Sequence, residues 1–574
     1  MQKGLNNLYK LLGKNKTVVY LLFITLLGLY VRIFNLNWDN SFYFHPDERA
    51  IYMFTTPLSY PESLKSFLSS ESPLNPRFFA YGNLPIYLLK FVSDIASLAN
   101  PILSQYGGIH FVGRLINALA GTSTILLIFF FSKRLFDKNV ALLSALFYSI
   151  AVFPIQNSNF YTVDTLLTFF ILLTLFFLDV YIKKPILLNL FLVAISFGLA
   201  LSSKISALPI ILIILFGFIV VFFRKKNKRS IVFIFSQVNF LLIFLLTVVV
   251  TFFITQPYTL IDFANFYEQI SFQSKMGTDP FIFPYTLQYV GKIPVLFEMK
   301  NIVLWGMGIP LSLFALGGLF YTTYKAFRKP FKNIRIFLLV LFFWLYFILS
   351  SSYAVGWMRY LLPIYPALVI FSGVFCVNIL FPNFKKYFIK KDHKILEKLF
   401  FAIFIFICSL WTISFMTIYS KPNPRIVASD WIHKNIAPGK TLAIEHWDDG
   451  LPVYGANEYK IISLPLYDPD TGLKWENINR DLETTDYIII ASNRLYAPLQ
   501  KLTDCSILPQ GRCYALTAKY YNNLFSGNLN FKKVAEFNSY PTIPIINLRI
   551  YDQNADESFT VIDHPKILIF ERIN

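Results

Sequence analysis

Long apolar runs separated by short polar connections fill the first 420 positions of the chain. Stretches of the ~20 residues needed to cross a hydrocarbon core fall near 17–36, 110–131, 139–156, 162–182, 186–203, 206–223, 231–255, 302–323, 336–352, 361–381 and 397–419. Eleven membrane-spanning helices are therefore predicted, with very short turns inside 139–182 and 186–223. Two connections are long, 37–109 and 256–301. The first contains Leu84–Leu98, apolar but too short and too polar at its flanks to span, and it reads as a helix lying on the membrane surface. Beyond residue 420 the pattern changes. RIVASDWIHKNI reads as an amphipathic helix stopped by Pro438 and Gly439, TLAIEHW as a strand, WENINRDL as a helix and DYIIIAS as a buried strand. This alternation predicts a small α/β domain over 421–574 beside a helical membrane domain over 1–420.

Composition narrows the class. Of 574 residues, 55% are hydrophobic and 15% charged, against roughly 25% charged in soluble domains. A soluble globular protein and a disordered chain are both excluded. The net charge of +19 does not signal nucleic acid, because it is confined to the apolar part. Residues 1–420 hold 36 Lys and Arg against 15 Asp and Glu, whereas 421–574 hold 16 against 18. Of those 36 cations, 25 fall on alternate connections, at 3–16, 133–138, 183–184, 224–229, 325–335 and 385–398. The positive-inside bias then places these connections and the N-terminus in the cytoplasm, and an odd number of spans places 421–574 outside. The first span lacks a small-residue cleavage site and reads as a retained anchor. The whole reads as a multi-pass protein of the plasma (inner) membrane. Cys505 and Cys513 share the exterior domain and are read as a disulfide, over the alternative of two free thiols.

In so apolar a chain, charges near span ends carry the information. The densest cluster is His45-Pro46-Asp47-Glu48-Arg49, shortly after the first span. Pro46 and the two acids suit a helix start, and a helix start also holds a carboxylate rigidly. Asp47 and Glu48 diverge by about 100°, so one can act while the other holds the loop or pairs with Arg49. Asp164 opens the fourth span, where a plain helix-end role is the alternative. Arg114 lies inside the second span, Lys204 in the turn between the fifth and sixth, and Arg359 at the start of the tenth. All are expected at the outer face. Cations there suit a lipid-linked phosphate, and a carboxylate suits proton removal from an attacking hydroxyl. That combination is glycosyl transfer from a polyprenyl-phosphate sugar. The alternative is a lipid-linked saccharide flippase or transporter, which favours charges near mid-bilayer; here the span interiors are almost free of them. The acids of EHWDDG could hold a cation, though a strand-end loop reads better. The histidines show no metal-ligand spacing, and no nucleotide-binding loop is present.

The segments HPDERAIY and NPRFFAYGNLPIYLL, followed by GRLINALAGTSTILLIFFFSKRLF, FYTVDTLLTFFILL, GLALSSKISALPII, TQPYTLIDF and RYLLPIYPAL, resemble the polytopic glycosyltransferase C (GT-C) superfamily. Within it, the resemblance is to the branch of protein O-mannosyltransferases and aminoarabinose lipid A transferases, and it runs in order through most of 20–375. ASDWIHKNIAPG, EHWDDGLP and DHPKILIF resemble the exterior domain of bacterial members. The resemblance implies a GT-C fold of about eleven spans with an extracytoplasmic α/β domain. It implies Asp47 as general base of an inverting transfer, with Glu48 completing the Asp-Glu pair. Asp164, Arg114, Lys204 and Arg359 join the substrate-binding set, together with His45 and Tyr81 from the quoted segments. Arg77 is the nearest match to a first-loop lysine of aminoarabinose transferases. The β-trefoil of eukaryotic protein mannosyltransferases is not apparent. No cofactor is required and a divalent cation is possible. The expected partners are a polyprenyl-phosphate sugar donor, a hydroxyl-bearing lipid, glycan or protein acceptor, and the bilayer, without nucleic acid.

Overall fold

The computed structural model describes residues 16–224, 231–330, 332–388 and 394–573. Helix α1 (Lys16–Ile33) leads into the first long connection, which carries α2 (Pro46–Thr55) and α3 (Leu84–Ser97). The bundle continues through α4 (Ile109–Leu135), α5 (Lys138–Ile150), α6 (Val152–Ser158), α7 (Val163–Lys183), α8 (Leu187–Ser203), α9 (Ile210–Arg224) and α10 (Ile231–Thr255). The second long connection holds α11 (Phe263–Thr278). The bundle closes with α12 (Ile309–Arg328), α13 (Ile334–Ser352), α14 (Tyr365–Phe375) and α15 (Lys394–Met416). Each predicted span therefore meets a helix. Among the described residues, eight helices are long and apolar enough to cross a membrane, and nine if α5 and α6, bent by 58°, form one span. The other two of the eleven expected spans fall short for visible reasons. α8 has 17 residues, and α12 mixes Tyr and Thr into its apolar run before ending on Lys325 and Arg328. The orientation reading at 3–14, 225–229 and 390–391 lies outside the described residues.

The break between α5 and α6 follows from Pro154, whose missing N–H leaves the Ile150 carbonyl without its helical donor. Thr412 on α15 donates its hydroxyl to that carbonyl instead. The neighbouring carbonyls of Tyr148 and Ser149 face the guanidinium of Arg32, at 3.1 and 3.5 Å, from the last turn of α1. Arg32 is fully buried. A membrane-buried break persists where such side chains re-satisfy the backbone.

The C-terminal domain is α/β, as its alternation predicts. α16 (Pro424–Asn435) precedes β1 (Thr441–Glu445) and β2 (Lys460–Leu464), then α17 (Gly472–Thr484), β3 (Tyr487–Ile490) and α18 (Ala515–Ser526). β4 (Phe531–Phe537), a two-residue hairpin of β5 (Thr542–Ile543) and β6 (Leu548–Arg549), and β7 (Ile567–Arg572) complete it. The sheet order is β2-β1-β3-β7-β4. β1 runs parallel to β2 and β3, and β7 runs antiparallel to β3 and β4. Ile488, Ile489 and Ile490 are all buried, as a strand covered on both faces requires. The edge strand β4 instead exposes Lys532 and Lys533, which blunts it against pairing. Cys505 and Cys513 form a disulfide near the start of α18.

Candidate active site

The start of α2 fixes two adjacent carboxylates in opposite directions. Pro46 occupies the first turn, where no N–H is needed. His45 caps the helix, its Nδ1 accepting from the Asp47 N–H at 3.2 Å and facing that of Glu48 at 3.5 Å. Burial, then the charges of Arg359, Arg114, Arg49 and Arg494, hold the His45 imidazole well below its ordinary range, which keeps it neutral and able to accept. Glu48 turns inward and is fully buried. It accepts from Arg114 Nε and Nη2 (2.8 and 2.7 Å), the Tyr52 hydroxyl (2.6 Å) and the Tyr161 N–H (3.0 Å). Arg114 also donates to both oxygens of Asp39 (3.0 and 2.7 Å) and to the Leu36 carbonyl (2.6 Å). All five of its N–H donors are engaged. Arg114 therefore has none left for a phosphate, and it braces the loop behind the site. Burial alone would raise the Asp39 carboxyl, yet the Arg114 guanidinium holds it below the usual carboxylate range.

Asp47 turns the other way, half-buried, and pairs with Arg359. The next residue, Tyr360, lies under Lys204, whose Nζ is 4.6 Å from the ring centroid. Lys204 Nζ in turn lies 2.7 Å from Oδ1 of Asp164, in the first turn of α7. Two carboxylate–cation pairs thus stand side by side, joined through Arg359 and Tyr360. Tyr81 borders the same group: burial, with Tyr360, Asp164 and Tyr285 adding to it, raises its phenol. Its position depends on Gly82, where a Cβ would lie 2.0 Å from the Ser202 carbonyl oxygen at the end of α8. Arg77 stands apart, in an exposed ion pair with Glu71. The structure therefore groups Asp47, Arg359, Asp164, Lys204 and Tyr81, sets His45, Glu48 and Arg114 behind them, and leaves Arg77 outside.

Three further side chains come from the C-terminal domain. Asp556 and Glu557, at the N-terminus of a short helical turn (Glu557–Thr560), contribute to the field at Arg359. Arg494, whose charge is felt at His45, bonds Glu557 (Nε to Oε1, 2.5 Å). Asp556 accepts from the Tyr289 hydroxyl at 2.7 Å and Glu557 from Gln288 at 2.9 Å, both in the second long connection. Burial pushes the Glu557 carboxyl up to about 7, with Arg494 opposing. The loop after β1 reaches the first connection, Asp449 Oδ1 lying 3.3 Å from Arg49 Nη1. Of the acids of EHWDDG, Asp448 and Asp449 lie in the strand-end loop and pair with Arg425, Asp448 also with Arg494 and Asp449 with Arg49, whereas Glu445 ends β1 and accepts from the Tyr521 hydroxyl. Sequence reasoning missed Arg494, Asp556 and Glu557; the two acids lie in NADESFT, which looks like a polar surface turn. Nothing local signals that it packs against the Met358–Ile364 turn that carries Arg359. Among the described residues, no group of three or more His, Cys, Asp or Glu side chains converges as a metal-ligand set.

Residues 97–250 match the family described as dolichyl-phosphate-mannose-protein mannosyltransferase. No curated protein sequence matches the chain. In three dimensions it resembles ArnT from Cupriavidus metallidurans bound to undecaprenyl phosphate, with a TM-score of 0.50 and 13% identity, over 85% of this chain and 95% of that one. It also resembles the archaeal oligosaccharyltransferase AglB from Archaeoglobus fulgidus, in complex with an inhibitory peptide and a dolichol-phosphate, with a TM-score of 0.48 and 13% identity, over 98% and 89% of the two chains. A weaker likeness is to the Saccharomyces cerevisiae protein O-mannosyltransferase Pmt1–Pmt2 complex bound to its sugar donor, with a TM-score of 0.33 and 17% identity, over 44% and 34%. The matched segment spans α4 to α10, including Asp164 and Lys204. The family match is confined to residues 97–250, and the likeness to ArnT over most of both chains shows a shared fold.

Proposed function

We propose that the protein transfers a sugar from a polyprenyl-phosphate carrier to a hydroxyl-bearing lipid, glycan or protein at the membrane face covered by residues 421–574. That face is extracytoplasmic and the membrane is the plasma membrane. The observation that carries this reading is the paired arrangement of Asp47 with Arg359 and Asp164 with Lys204. Two carboxylates and two cations side by side meet both demands of the reaction, a proton acceptor and a site for developing phosphate charge. The undecaprenyl phosphate bound to ArnT supports the donor class.

The phosphate of the donor competes with Asp47 for Arg359 and leaves the carboxylate free. Asp47 then takes the proton from the acceptor hydroxyl. The hydroxyl oxygen bonds to the anomeric carbon as the carbon–oxygen bond to the phosphate breaks, and the electron pair leaves on polyprenyl phosphate. One displacement inverts the anomeric centre. Arg359 and Lys204 hold the leaving phosphate, Asp164 orients Lys204, and Tyr81 lines the sugar site. Glu48, through Arg114, keeps the start of α2 rigid. A divalent cation is an addition this scheme accepts without needing it, so turnover should survive EDTA.

The test supplies purified protein in nanodiscs with a panel of polyprenyl-phosphate monosaccharides and an extract of candidate acceptors, and follows release of polyprenyl phosphate. Asp47→Asn should lower release by at least about 100-fold while donor binding persists. Normal activity in that variant would sink the base assignment. Donor crossing a vesicle membrane without cleavage would move the function to a flippase.

A further inference from the structure

At the end of the bundle remote from the exterior domain, the turn between α12 and α13 borders a cavity of about 500 Å³. Four cations line it, Lys325, Arg328, Lys329 and Lys332, and no carboxylate does. Lys325 donates to the Tyr321 hydroxyl and lies 4.3 Å from its ring centroid, and Arg328 Nη1 is 3.4 Å from the Tyr324 hydroxyl. The amides of Asn333 and Asn378 complete the polar wall. Other cations at this end are used differently. Arg134 and Arg335 both close on the buried carboxylate of Asp179, whereas none of the four has an acidic partner among the described residues. Charge that only orients a helix needs number, not shape. A concave site between helix ends, with tyrosines restraining two of its cations and amides beside them, offers directed donors to an anion.

We propose that this cavity binds the phosphodiester headgroup of an anionic phospholipid from the leaflet on that side. Basic pockets between membrane helices suit such headgroups. The lipid source follows from the outer face of α12. Leu313, Phe320, Tyr324 and Phe327 are all exposed and recur at helical spacing, and Tyr324 is itself part of the cavity wall. A headgroup in the cavity lays its acyl chains along that stripe, which a soluble phosphate would leave bare.

The full-length protein, in nanodiscs of phosphatidylcholine with or without phosphatidylglycerol, is read by native mass spectrometry for retained lipid. Wild type should retain phosphatidylglycerol in preference to phosphatidylcholine. The variant Lys325→Gln/Arg328→Gln/Lys329→Gln/Lys332→Gln should lose that preference by roughly tenfold or more. Lys329→Gln/Lys332→Gln, which leaves the tyrosine contacts intact, should lose part of it. A control, Lys133→Gln/Lys138→Gln/Lys183→Gln/Lys184→Gln, removes four exposed charges from the same side and should keep it. Equal loss in the control, or no preference in wild type, overturns the site. Displacement of the lipid by millimolar inorganic phosphate would assign the cavity to a soluble anion and overturn the lipid.

Discussion

Asp47 and Glu48 are neighbours, yet the ~100° step between them on a helix sends one to a half-exposed cation and the other into a sealed salt bridge. Their amide replacements should therefore separate. Asp47→Asn weakens a pair that is 17% exposed on each side, less sealed than that of Glu48, so its melting temperature should fall less than that of Glu48→Gln while turnover collapses. Glu48→Gln weakens the partner of a fully buried guanidinium and should cost about 3 kcal/mol of stability, visible as a lowered melting temperature in the same nanodiscs. Arg359→Gln should reduce kcat/KM by roughly 100- to 1000-fold, measured as polyprenyl phosphate release. The sequence made Asp47, Asp164, Lys204 and Arg359 visible, because a charge at the edge of an apolar run is conspicuous. It could not tell a ligand-facing cation from a braced one. Arg114 sits at a helical position no different from a snorkelling arginine, and only the approach of Asp39 and Glu48 from another segment decides its role.

Among the elements, the broken pair α5 and α6 is the most exposed to single substitutions. Thr412→Val leaves the Ile150 carbonyl buried without a donor and should cost about 1–3 kcal/mol. Thermal melting of the variant, with Thr412→Ser as the rescue, checks this. Pro154 was in plain view within the expected span at 139–156, but the side chains that tolerate it were not. Thr412 is 262 positions from Ile150, and Arg32 lies in a helix read only as an anchor. The short helix at 84–98 was legible because its apolar length is too small to span, and the structure gives α3 at Leu84–Ser97. In the C-terminal domain the continuous apolar run of β3 stood out. β2 and β4 did not, since an edge strand with exposed lysines carries little hydrophobic signal.

For the molecule as a whole, a buried acid–base knot ties the C-terminal domain to the bundle. Asp563 accepts from Gln156 (3.0 Å) and from the Tyr419 hydroxyl (2.6 Å), and also pairs with His564, whose Nε2 lies 2.9 Å from Asp552. Burial opposes the charge on His564, but Asp563 and Asp552 raise its imidazole to about 10. The unfolded value is near 6.5, so this stabilisation is complete below about pH 6.5 and is lost as pH rises toward 10. Glu445 adds to the same trend. Burial pushes its carboxyl up to about 8, so the folded state holds a proton that the unfolded chain has released, and stability falls between about pH 4.5 and 8. Melting temperature should therefore decline from pH 6 to 9, and His564→Gln should lower it at pH 6 while flattening the slope. A steeper slope in the variant would contradict this linkage.

The sheet order β2-β1-β3-β7-β4 has a consequence for how the protein is made. β7 follows the other strands of its sheet in sequence, yet it lies between β3 and β4. Until residues 567–572 leave the ribosome, β3 presents a bare, apolar edge, and β4 has nothing to pair with. The acids near Arg359 and the knot at Asp563 likewise follow every described helix of the bundle in sequence. A nascent chain stalled before residue 567 is therefore left with an unfinished sheet and an adhesive edge.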